Sequence, residues 1–284
     1  MNDTFYDISN VINKDIVDII SDIENATKIL NISYFIVGAA ARDIVNLING
    51  IKSTRLTQDI DIAINVIDWQ EYELLTSRLI SQYGYKPDNK LKHRYYNAQN
   101  SMVDIIPFGE IENPKYSLRW PGADLIMSTL GFMEAYDSCI TVSIRRNPDM
   151  TTRVPTPASL ALMKIISWYD KYPDRSKDAK DLLEIINNYD DYGNWDRFHT
   201  EHRDIITGGT YDYNCGLARL LGRDIAKIAK PDTMETLIKI LDRETSDDSE
   251  YPLIRDMITG LDFDSYRFNK ILEIVNSLKL GLTE

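Results

Sequence analysis

A change of rhythm at Pro157 constrains this chain more than any other feature. Before it, short apolar runs with a two-residue alternation are interleaved with helical periods, whereas after it only helical periods remain. In the first part, "KDIVDIISDIENATKIL" (14–30), "AAARDIVNLI" (39–48) and "WQEYELLTSRLISQY" (69–83) have apolar positions at helical spacing. "SYFIVG" (33–38), "TRLTQDIDIAINV" (54–66), "KHRYYNA" and "SMVDIIPFG" read as strands, the last two joined near Asn100-Ser101, and further β-like runs occupy 138–145 and 151–155. Beyond Pro157, "ASLALMKIISWYDKY", "SKDAKDLLEIINNY", "NCGLARLLGRDIAKIAK", "TMETLIKIL" and "SYRFNKILEIVNSLKL" are all helical. The expectation is an α/β half over 1–156 and an all-helical half over 157–284.

Composition narrows the class of protein. With 284 residues, 43% hydrophobic and 27% charged, the chain is long enough for one large or two smaller globular domains. No apolar run reaches the ~18 residues of a membrane span, and the acidic start "MNDTFYDISN" lacks a signal-peptide pattern. Two cysteines, Cys139 and Cys215, without metal-type spacing point to a reduced cytoplasm. His93, His199 and His202 have no metal spacing with them either. A net charge of −12 argues against a broad nucleic-acid-coating surface. The run "KPDNKLKHRYY" (86–96) nevertheless concentrates Lys86, Lys90, Lys92, His93 and Arg94 beside two tyrosines. It reads equally as a phosphate-contacting patch and as a solvated hairpin with a charged tip.

Two aspartates inside an apolar strand demand an explanation. Asp59 and Asp61 alternate with isoleucines, so they share one face about 7 Å apart. Like charges held there repel unless a cation sits between them, and Mg²⁺ is the usual match for carboxylates plus phosphate oxygens. Asp104, in "MVDIIPF", is a third acid in an apolar strand, and three acids on adjacent strands suit two metal ions. A chance D-x-D among 44 acidic residues, or acids guarding an edge strand, is the alternative. Upstream, "FIVGAAARDIV" puts glycine and small residues where a strand turns into a helix, leaving backbone N–H groups open to phosphate.

"VGAAARD" followed by "TQDIDIA" resembles the nucleotidyltransferase fold of the DNA polymerase β superfamily, in which a helix-starting G-S or G-G element precedes a D-x-D strand. The chain looks most like the AbiEii/AbiGii-type nucleotidyltransferases, related to the MenT toxins of bacterial abortive-infection and toxin–antitoxin pairs. "SLALMKIISWYDKYPDRSKDAKDLLEII" (159–186) is similar to that family's K…A-W…K-D-A-x-D-L helix pair, so the likeness spans residues 33 to 190 in scattered motifs.

The resemblance implies an α+β fold, a nucleotidyltransferase-type mixed sheet with flanking helices followed by an all-helical C-terminal half. It implies an enzyme that moves NMP from an NTP substrate to an acceptor hydroxyl with two Mg²⁺ ions. The acceptor would be a tRNA 3′ end, a protein side chain or a small molecule, and an antitoxin protein would be a partner. Gly38, Ala39 and Arg42 would hold the triphosphate, while Asp59, Asp61 and Asp104 would bind Mg²⁺. Asp104 would also assist deprotonation of the attacking hydroxyl, Lys164 would pair with the nucleotide phosphates, and Asp178 would be the acid of the following helix. Ala39 departs from the family, standing where a phosphate-binding serine belongs. A Lys164–Asp178 salt bridge between two helices accounts for those residues equally well, with Arg175 and Lys177 as auxiliary cations or solvated surface. The CCA-adding and poly(A) polymerase class shares the V-G-G-x-V-R-D type of element, but its R-R-D-F-T-x-N-A and E-D-x-x-R-x-x-R elements are missing. A non-catalytic nucleotide- or partner-binding module that keeps the fold is the remaining alternative.

Overall fold

The computed structural model describes residues 6–52, 59–122, 124–207, 212–260 and 264–284. Residues 54–58, the start of the run expected to form the Asp59–Asp61 strand, lie outside them. The chain divides into two compact units, Met1–Thr156 and Pro157–Glu284.

The first unit runs β1 (Tyr6–Asp7), α1 (Lys14–Leu30), β2 (Ser33–Val37), α2 (Gly38–Ile48), β3 (Ile60–Asn65) and α3 (Trp69–Tyr83). It continues with β4 (Lys86–Pro87), β5 (Arg94–Tyr96), β6 (Met102–Phe108), β7 (Ser117–Arg119) and β8 (Ile126–Ser128). α4 (Phe132–Asp137), β9 (Ile140–Arg146) and β10 (Asp149–Val154) complete it. Helix ends follow local chemistry. Asn13 caps α1 by accepting from the Asp15 N–H at 2.8 Å, and the helix stops at Asn31 with a φ of 55°. Asp68 caps α3 through the Glu71 N–H, and Gly84 ends it at a φ of 73°.

Among the described residues, the main sheet has the order β2-β3-β6-β5-β4. β3 and β6 run parallel at its centre and the other neighbours are antiparallel, so the sheet is mixed. Ile36, Ile60, Ile62, Val103 and Ile105 form a buried layer on one face, and Phe35 is buried on the other. Phe35 packs edge-on against Phe108, Phe132 and Tyr136, with ring centroids 5.6, 6.3 and 6.0 Å away. A second sheet has the order β1-β9-β10, and β7 pairs with β8. The two- and three-residue strands β1, β4, β7 and β8 were not expected, because they are too short to show an alternation.

The second unit is helical throughout its described residues: α5 (Pro157–Asp170), α6 (Ser176–Asn187), α7 (Trp195–Thr200) and α8 (Arg203–Thr207). α9 (Tyr213–Ile228), α10 (Pro231–Thr245), α11 (Pro252–Ile258) and α12 (Ser265–Thr283) follow. The fold class is thus α+β, a mixed sheet with flanking helices and then an all-helical half. No described helix is long and apolar enough to cross a membrane.

α9 and α12 approach through glycines. A Cβ on Gly281 would overlap the Arg219 carbonyl oxygen and lie 2.9 Å from its carbon, while one on Gly222 would overlap the Leu278 carbonyl and meet Gly281 Cα at 2.9 Å. The obstacles are backbone atoms, which cannot swing aside as a side chain would. Gly281→Ala should therefore destabilise the full chain by about 1–3 kcal/mol in equilibrium denaturation, despite alanine's better helix propensity.

Candidate active site

Strand register brings the acids together. In the parallel β3–β6 pair, Asp61 lies directly opposite Asp104. In-register neighbours project to the same face of a sheet, so two carboxylates stand side by side on its central strands. Asp59 immediately precedes β3 and is exposed, whereas Asp61 is half-buried.

The turn beside them is shaped by Asp61. Val37, the last residue of β2, pairs with Asp61 across the antiparallel β2–β3 ladder, and α2 begins at the next residue. Gly38 has a φ of 68°, and a Cβ there would overlap Asp61 Oδ2 and lie 2.9 Å from its Cγ. Glycine therefore meets two demands, a left-handed backbone and room for a carboxylate. No side chain caps the start of α2, and Ala39 behind Gly38 is half-buried. The turn thus presents backbone donors and the positive end of a helix beside the carboxylates.

Asp104 already has a cation. Arg94 stands opposite it in the antiparallel β5–β6 ladder. Its Nε donates to Oδ1 and its Nη2 to Oδ2, both at 2.8 Å, the two-pronged geometry a guanidinium makes with a carboxylate. His93 Nε2 lies 3.8 Å from Oδ2. The bond to Asp104 holds the Arg94 pKa above its ordinary value; burial opposes this, and the charges of Asp104 and Asp59 add to it.

Among the described residues, no group of three acid, histidine or cysteine side chains suited to a metal is found. Asp59 and Asp61 are carboxylates of the kind a divalent ion takes, and Asp104 is engaged by Arg94. Arg42, the residue expected at the triphosphate, is buried at 6% exposure, with Nε and Nη2 donating to Asp43 Oδ1 at 3.2 and 2.9 Å. Burial pushes the Cys139 thiol up to about 12.

Lys164 and Asp178 belong to the second unit and pair with each other. Lys164 Nζ donates to Asp178 Oδ1 and to Asp181 Oδ2, both at 2.6 Å, and Ser167 Oγ donates to Asp178 Oδ2 at 2.9 Å. Arg175 adds an ion pair to Asp178 at 3.8 Å, and Lys177 is exposed. Together they form an inter-helix ion cluster that includes Asp181. Burial opposes the charge on Lys164, but Asp178 and Asp181 outweigh it and raise its pKa.

Arg94, His93 and Asp181 were missed as site residues, although signals existed. Folding the hairpin about Gln99, one residue before the expected turn, puts residue 94 opposite 104. Asp181 follows Asp178 by three residues, on the same side of its helix.

Two outcomes follow. Gly38→Ala should lower stability by about 1–2 kcal/mol, and by less in an Asp61→Ala background, a coupling that a double-mutant cycle reads. Lys164→Met would leave two buried carboxylates facing each other and should cost about 3–5 kcal/mol in denaturation. Because the folded chain holds the Lys164 proton more tightly than the unfolded chain, this stabilisation is full below the ordinary lysine value of 10.5 and falls as pH rises through the folded pKa.

No family model matches the chain, and no curated protein does. Among solved structures it is similar to the antibiotic-resistance factor ANT(2'')-Ia, at 17% identity over 57% of this chain and 77% of that one, with a TM-score of 0.35. A tRNA-processing enzyme in apo form is 13% identical over 92% of this chain and 63% of its own, with a TM-score of 0.35. A Thermotoga maritima CCA-adding enzyme complexed with tRNA is 10% identical over 96% and 82%, with a TM-score of 0.27.

Proposed function

We propose that the protein is a Mg²⁺-dependent nucleotidyltransferase that moves NMP from an NTP to an acceptor hydroxyl. The observation that carries this reading is the juxtaposition of an uncapped helix start at Gly38 with Asp61 and Asp104 in register on adjacent strands. A phosphate-holding turn beside carboxylates is what a metal–triphosphate complex requires.

Gly38 and Ala39 would hold phosphate oxygens through backbone N–H groups, and Asp59 and Asp61 would hold Mg²⁺. The bound ion would neutralise triphosphate charge and polarise the α-phosphorus. Each oxygen of Asp104 keeps a lone pair beyond the one that Arg94 uses. Asp104 can therefore accept the proton of an acceptor hydroxyl as its oxygen attacks the α-phosphorus and pyrophosphate departs. Positioning and charge neutralisation would supply most of the rate. The acceptor in this proposal is a tRNA 3′ end, and the biological setting is the toxin half of a bacterial toxin–antitoxin or abortive-infection pair. The bonding of Asp104 to Arg94 and the alanine at 39 favour a second reading, a nucleotide-binding module without transfer.

Incubation with labelled NTPs, Mg²⁺ and total bacterial RNA or small-molecule acceptors decides between them. Wild type should label an acceptor, and Asp61→Asn should lower the rate at least 100-fold while the fold persists by circular dichroism. Mg-NTP binding without labelling of any RNA, protein or small molecule would establish the binding module instead.

A further inference from the structure

We propose that a cavity between α1, β2 and β10 binds a small sugar phosphate, with its phosphate on Lys28 and Arg153 and its hydroxyls on Glu24, Tyr34 and Thr152. The site is separate from the Gly38 turn and does not depend on the proposed transfer reaction.

The cavity measures about 420 Å³, a size usual for small-molecule sites, and is lined by the end of α1, the start of β2 and residues of α4, β9 and β10. Ser33 begins β2 and Val37 ends it, so the cavity and the Gly38 turn lie about 13 Å apart along the strand. Its charges run against those of the chain, with Lys28 and Arg153 facing the single carboxylate of Glu24 in a protein of net charge −12. Arg153 is held in place without being neutralised. Its Nη2 donates to the Tyr136 carbonyl at 2.6 Å, and its guanidinium lies 4.0 Å from the centre of the Tyr136 ring. Neither of those partners carries a charge, and among the described residues no carboxylate is within ion-pair distance of Arg153 or Lys28. A guanidinium fixed in this way keeps Nε and Nη1 for a two-pronged contact with a phosphate.

Polar groups in the wall specify the rest of the ligand. Tyr34 is 7% exposed and Thr152 3% exposed, and both line the cavity, yet neither hydroxyl completes a hydrogen bond of ordinary geometry. Buried hydroxyls in folded proteins are ordinarily bonded. Burial, joined by the charge of Glu24, raises the Tyr34 pKa, so the phenol keeps its proton and is able to donate. Thr152 can donate and accept, while the Glu24 carboxylate beside Tyr34 only accepts. A bare anion would leave Glu24 facing it, and an apolar ligand would strand all of these groups. A polyhydroxyl compound carrying one phosphate meets both the cations and the acceptors.

Calorimetric titration of the full chain with ribose 5-phosphate, without metal or NTP, tests the assignment. Wild type should bind one equivalent, and Lys28→Glu and Arg153→Met should each weaken binding about tenfold or more. Glu24→Gln should weaken ribose 5-phosphate but not inorganic phosphate, because the carboxylate contacts hydroxyls and repels the anion. Asp61→Asn should leave the affinity unchanged, which separates this cavity from the Gly38 turn. Lys28 is exposed, so its variant keeps the assignment testable should Arg153→Met fail to fold. AMP bound in a Lys28-dependent way would mark the ligand as a nucleotide, and its exclusion would mark a free sugar phosphate. No binding to wild type at millimolar ribose 5-phosphate, an affinity indifferent to Lys28→Glu, or loss of binding in Asp61→Asn would overturn the assignment.

Discussion

Parallel pairing of β3 with β6 puts Asp61 beside Asp104, and the rest of this end of the sheet answers to that juxtaposition. Two carboxylates on neighbouring central strands cannot both stay ionised at low cost unless positive charge reaches them. The chain supplies it from two directions. Arg94 arrives across β5 and grips Asp104, while the start of α2 arrives from the end of β2 and approaches Asp61. Gly38 is the geometric price of the second solution, because a Cβ there would occupy the space of the Asp61 carboxylate.

Most of the architecture was legible because its signals are local. The β2–α2 turn, the helix limits at Leu30 and Tyr83, and the hairpin around Asn100 follow from alternation, caps and positive-φ residues. In that hairpin Asn97 Oδ1 accepts from the Ser101 N–H at 2.7 Å, so the turn holds its register with its own side chain. Partnership was less legible. The run from Lys86 to Tyr96 read as one basic patch, yet folding sorts it, leaving Lys86, Lys90 and Lys92 exposed while His93 and Arg94 turn toward Asp104. Arg42 shows the same limit from the other side. Its sequence position beside the glycine turn suggests a phosphate, while the pairing with its neighbour Asp43 could not be read from position alone.

The helical unit meets buried charge in a different way. Lys164 lies between Asp178 and Asp181, with Ser167 and Arg175 on the outer oxygen of Asp178. Taking these charges out of water costs energy that their mutual attraction has to offset. What it does provide is a fixed relation between α5 and α6, since a lysine with two carboxylates one helical turn apart fits only one register. Trp168 adds to that relation by donating to Asp256 at 2.8 Å, which ties α5 to α11 as well.

The hairpin of β4 and β5 joins the site to the acidic character of the whole chain. A net charge of −12 repels any polyanionic acceptor at long range. Screening confines that repulsion to about 8 Å at physiological salt, so the local sign at the point of approach matters more than the total. The hairpin has two sides in this respect, with Arg94 turned inward to Asp104 and Lys86, Lys90 and Lys92 turned to solvent. Because β5 is only three residues long, the inward and outward charges lie within a few residues of one another on the same strand pair. The ladder that fixes Arg94 therefore also fixes where the lysines begin, and a shift of one residue in β5 would turn Arg94 away from Asp104 while carrying neighbouring side chains to the opposite face.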